Sequence, residues 1–84
     1  MPRYYFNLRD GHTTLDNEGT ELLDLDAAHK AAVTLSGEVL RDGASGSLWS
    51  GSPWELWVTD QPGGLGQTHF TLSFSATMGG KLVA

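Results

Sequence analysis

Three imidazoles and one run of carboxylates are the groups in this chain best suited to catalysis or ligation. His12, His29 and His69 are the only histidines. No two stand three or four residues apart, the spacing that puts two imidazoles on one helix face toward a metal. Asp16, Glu18, Glu21, Asp24 and Asp26 are half of the ten acids and have no base among them. Crowded carboxylates suit a hard cation such as calcium, yet here they fall at irregular spacing and lack the alternating order of a calcium loop. A metal-binding protein using this acidic turn and His12 is therefore a lesser alternative, and no metal ligand or cofactor is assigned. The chain has no Cys, which excludes a thiolate nucleophile, a zinc–thiolate site and a disulfide. Ser45-Gly46-Ser47 and Ser50-Gly51-Ser52 do not form the G-x-S-x-G elbow of a serine hydrolase. Gly63-Gly64-Leu65-Gly66 lacks the Lys-Ser/Thr end of a phosphate loop. No catalytic residue emerges, and the expectation is a protein that is not an enzyme.

The elements that would position these groups follow from hydrophobic periodicity. Tyr4 to Arg9 alternates as a strand, with Tyr4, Phe6 and Leu8 on one face and Tyr5, Asn7 and Arg9 on the other. Asp10-Gly11 ends it with turn chemistry. Thr13 to Asp16 reads as a short strand folded back on the first, and Thr20 to Leu23 as extended. Leu25, Ala28, Ala32, Leu35 and Val39 are spaced three and four apart, one apolar stripe of a helix. Asp24 is its predicted N-cap, Asp26 and Arg41 carry the signs its two ends favour, and Gly43 is a natural stop. Gly37 is a weak point inside it. Residues 43–53 form a flexible Gly/Ser loop in which Trp49 is expected to fold back on the core edge. Trp54 to Asp60 and Gln67 to Phe74 alternate again and are joined by a Pro62-Gly63-Gly64 turn, which predicts a hairpin. Residues 75–84 read as a C-terminal tail, with Leu82 and Val83 able to form a short edge strand.

The reading is one compact α+β domain over residues 1–74: a small antiparallel sheet of three to four strands in the order β-β-α-β-β, with one amphipathic helix on one face. With 84 residues there is room for one domain and a modest core. The inward sets (Tyr4, Phe6, Leu8; Trp54, Leu56, Val58; Phe70, Leu72, Phe74) would meet the helix stripe. The other sheet face would then be open.

Arg3-Tyr4-Tyr5-Phe6 with Arg9-Asp10-Gly11, followed by Asp16-x-Glu18-Gly19-x-Glu21-Leu22 and Asp24-Leu25-x-x-Ala28, resembles the opening of a family of small bacterial proteins that carries only the designation of a domain of unknown function. The likeness covers residues 3 to about 40. It implies a bacterial, cytoplasmic protein and supplies no activity.

Net charge of −5 and five scattered bases argue against nucleic acid, since phosphate binding runs on Lys and Arg. No apolar run approaches a membrane span or a signal peptide, so the expectation is a soluble, cytoplasmic chain with no membrane partner. A small open sheet also offers little room for a small-molecule pocket. What stands out is the open face. Tyr5, Asn7, Arg9, Glu55, Trp57 and His69 would form an aromatic patch with a polar rim, and such patches mark partner surfaces. The leading expectation is a non-enzymatic interaction module that binds a protein partner or itself, as a homodimer, through this face. An antitoxin-like or regulatory module linked to nucleic acid is an alternative by fold analogy.

Overall fold

The computed structural model describes residues 1–42, 48–77 and 79. Among the described residues five strands form one antiparallel sheet: β1 (Arg3–Arg9), β2 (Thr13–Thr14), β3 (Thr20–Glu21), β4 (Trp54–Thr59) and β5 (Thr68–Phe74), with the long helix α1 (Leu25–Arg41) between β3 and β4. The α+β reading is correct, and the element order gains one strand, β-β-β-α-β-β. The extended stretch after Asn17 supplies it: Thr20 and Glu21 pair with Tyr4 and Arg3. The long pairings are β1 with β4 and β4 with β5, giving the order β2-β1-β4-β5. β2 pairs the far end of β1 through Leu8↔Thr14 and Arg9↔Thr13.

Alternation does what it predicts on the inner face. Phe6, Val58 and Phe70 lie side by side across three strands, as do Leu8, Leu56 and Leu72. Trp54, Leu56 and Val58 of the central β4 are completely buried, with Ala28 and Ala32 of α1. Their neighbours Phe6, Leu8, Phe70, Leu72 and Phe74 are only half-buried. The reason is width. A helix with its side chains is about 10–12 Å across, while four strands at about 4.8 Å spacing are about 14 Å from first to last. One helix therefore seals the middle strand and leaves the flanking ones partly open.

Asp24 caps α1 as expected, its carboxylate accepting from the Ala27 amide at 2.9 Å. The buried stripe is turned slightly from the one the sequence suggests. Ser36 is buried beside Ala28 and Ala32, and Leu25 at the first turn is exposed. The Ser36 hydroxyl and the Trp54 indole N–H are buried with no hydrogen-bond partner among the described residues. In the 43–53 stretch it is Leu48 that enters the core, whereas Trp49 is 62 % exposed, contrary to expectation. The smaller, purely apolar side chain can be buried without finding a partner for an indole N–H. Gly43 and the Leu82–Val83 stretch lie outside the described residues.

Gly37 has ordinary helical backbone, and a Cβ built on it meets nothing within 4 Å. Gly37→Ala therefore adds helix propensity without a clash, and thermal or urea unfolding should show it more stable by about 1 kcal/mol.

Candidate functional site

The outer sheet face is built from three cross-strand rows. Tyr5 sits opposite Thr59, Asn7 opposite Trp57 and Thr71, and Arg9 opposite Glu55 and Ser73. The predicted patch is thus assembled for five of its six members, and it is not open as expected. Asn7 is 0 % exposed. The 3-10 turn Pro62–Gly64 and the 15–19 segment fold across it, and a Cβ at Gly64 would meet Leu15, Asn7 and Trp57. Gly64 is at φ +73° and Gly63 at φ +70°, a conformation that glycine adopts freely. Side-chain alternation puts Asn7 on the outer face, but it cannot tell what a distant turn lays over it.

His69 is the second correction. The β4–β5 register slips between Val58 and Thr59, so that Val58 faces Phe70 and Thr59 faces Thr68. His69 is the extra residue of this bulge. Its ring lies 5.3 Å from that of Tyr4, a core residue, and not among the outer-face aromatics. Strict period-two counting has no means of seeing an inserted residue. Tyr5 is half-buried beside Gly19, whose α-carbon leaves no room for a side chain next to the Tyr5 ring. What stays accessible is a shallow pocket of about 390 Å³ lined by Arg9, Glu55, Trp57, Gly64 and Thr71. Its charges are already engaged: Arg9 donates to Glu55 at 3.2 Å and lies 4.9 Å from the Trp57 ring centre.

The acidic turn likewise has a structural employment. The Asp16 carboxylate accepts from the amides of Phe6, Glu18 and Gly19, each at 3.0 Å. Its own amide donates to the Asn7 side-chain oxygen at 3.0 Å, and its carbonyl accepts from Gly63 N at 2.8 Å. Asn7 Nδ2 donates to the carbonyls of Tyr5 and Trp57 and to Thr59 Oγ1. The Asp16 carboxylate and the Asn7 carboxamide thus tie β1, β4 and the acidic turn together, and the Asp16 backbone carbonyl adds the Pro62–Gly64 turn. Partial burial pushes the Asp16 carboxyl up, but the three amide donors and the positive charge of Arg3 outweigh it, and the net shift is downward from 3.8. Among the described residues no three His, Asp or Glu side chains converge as a metal site.

The feature the sequence reading missed lies on the other side of the sheet. A groove of about 360 Å³ runs between α1 and β5, lined by Val33, Ser36, Gly37, Leu40, Leu72 and Phe74. Its walls are almost wholly apolar, and Val33 on its rim is 64 % exposed. β5 beside it is the end strand of the sheet order. The signal was present: Val33 and Leu40 fall off the core stripe of α1, and Thr68–Phe74 carries no Asp, Glu, Lys, Arg or Pro.

Two outcomes follow from the Asn7–Asp16 pair. Asn7→Ala leaves the Asp16 amide without its partner in a buried site, and urea unfolding should show a loss of about 2–3 kcal/mol. Because the folded Asp16 pKa lies below its unfolded value, its contribution is complete above about pH 3.8 and is lost as pH falls through the lower folded value. Asp16→Asn should flatten the acid limb of a stability–pH curve there, while lowering stability at neutral pH.

No curated protein and no solved structure matches the chain. No helix among the described residues is long and apolar enough to cross a membrane. A family model does match. It spans residues 3–74, which takes in β1, the Asp16–Asn7 tie, the capped helix and the hairpin that ends at Phe74. The chain therefore belongs to the family described as domain of unknown function DUF6894.

Proposed function

We propose that the chain is a small, non-enzymatic protein-interaction module that docks an extended, uncharged polypeptide strand along β5. The observation that carries the reading is the β5 edge itself. Among the described residues it ends the sheet, and its seven residues include no charge or proline to guard it. Natural proteins blunt such edges, because a row of free N–H and C=O groups is a template for another strand. Here the apolar groove against α1 runs beside the edge. Backbone pairing with an incoming strand would supply affinity, and the groove would select apolar side chains at alternate positions.

The outer aromatic face is a poorer surface, since Asn7 is covered and Arg9 and Glu55 satisfy each other. The nucleic-acid reading is opposed by the net charge of −5. The metal reading is opposed by the three amides that already occupy the Asp16 carboxylate.

Selecting random nine-residue peptides on the immobilised protein tests the proposal. Enriched peptides should alternate apolar residues and lack charge, and on addition to labelled protein they should shift the amides of β5 and the methyls of Val33 and Leu40. Enrichment of peptides that instead shift Trp57 and the Arg9 side chain, or no enrichment at all, would sink it.

A further inference from the structure

We infer that the strand added to β5 is the β5 of a second copy of this chain, with the two α1 helices lying side by side over the joined edge. The inference rests on the reading that β5 docks a strand, and it names the partner.

Charge distribution is the first argument. Each copy carries −5, so two copies repel unless they meet where the acids are not. Asp16, Glu18 and Glu21 lie on segments attached to β1, and β4 separates β1 from β5. β5 has no acid, and neither has the lining of the groove beside it; Asp26, two turns before Val33 on the same flank of α1, is paired with Lys30 at 3.5 Å. This is the side on which two like-charged copies can approach.

Geometry is the second argument. A strand is complementary to itself in the antiparallel sense, and a two-fold axis through Leu72 would place Phe70 opposite Phe74 of the other copy. Both copies keep Phe70, Leu72 and Phe74 on the helix-bearing face, because paired antiparallel strands share their pleat. The joined sheet would then hold ten strands, eight of them along the continuous β2-β1-β4-β5 path of the two copies. Complete burial of Trp54, Leu56 and Val58 places α1 over β4. The two β4 strands would be three strand spacings apart, about 14 Å. Helices about 10–12 Å across at that distance bring their Val33–Leu40 flanks together above the β5 pair. Val33, now 64 % exposed, and the half-open aromatics beneath it would be covered by the same groups from the other copy.

Area is the third argument. A contact strip one seven-residue strand long, about 24 Å, and about 20 Å deep from sheet to helix buries roughly 1,000 Å² over both copies. That is the lower end for a specific interface, where associations are weak and transient.

Light scattering over a dilution series from about 1 mM to about 1 μM, a range that brackets micromolar binding, tests this, read together with amide exchange on β5. The expected result is a dimer that dissociates within the series, with edge-facing β5 amides protected only where the dimer persists. Val33→Glu puts two like charges at the joined flanks and should weaken the dimer at least tenfold, with the helical circular dichroism unchanged. Thr13→Glu adds the same charge to exposed β2 at the far edge and should leave dissociation within twofold of the parent. A dimer indifferent to Val33→Glu would overturn the inference. So would a monomer throughout. In a monomer, protected β5 amides would mean that the chain covers its own edge, whereas unprotected amides would leave strand docking standing with another protein as the partner.

Discussion

Everything on the outer side of this sheet depends on a buried carboxamide that must be satisfied. Asn7 is placed outward by the pleat of β1, where water would normally serve it. Instead it is sealed, and its hydrogen bonds run to Tyr5, Trp57, Thr59 and Asp16. A buried amide without those partners would cost about 1–3 kcal/mol for each group left unpaired. The acidic turn and the Pro62–Gly64 turn are therefore held in one arrangement, with Gly63 N bonded back to Asp16 O at 2.8 Å. Asp16, the first of the acids that looked like a cation site, is the means by which the turn closes over the sheet.

The two faces consequently do different work. On one, polar groups lock a lid of turns in place and leave a shallow pocket whose charges are paired. On the other, a single helix is too narrow for the sheet it covers, and the deficit falls on the half-open flanking strands. β1 has neighbours on both sides, whereas β5 ends the sheet order. The asymmetry between a finished edge and an unfinished one leads to the functional reading.

Local chemistry made much of this legible in the sequence. Asp24 caps the helix because a short carboxylate before an apolar stripe has that use. The inward rows of β1, β4 and β5 follow from alternation, and the hairpin from Pro62-Gly63-Gly64. What was not legible depends on residues far apart in the chain. Asn7 looks exposed until a turn more than fifty positions later lies on it. Thr20 and Glu21 are too few to declare a strand and become one only because Arg3 and Tyr4 offer an edge. Ser36 is buried because the helix rolls slightly toward β5, which no spacing within the helix reveals. Trp49 and Leu48 are adjacent, and burying one exposes the other.

The single-residue bulge at His69 acts as a phase shift. Upstream of it Thr68 keeps the parity of the outer face, and downstream Phe70 takes the parity of the core, though the two are only two positions apart. The connection between β4 and β5 therefore sets not only where the hairpin turns but which side chains of β5 reach the core. Removing one residue there would put His69 opposite Thr59 and withdraw its ring from Tyr4. A connection with one residue more or fewer would thus encode a different end to the core, while the rest of the strand read the same.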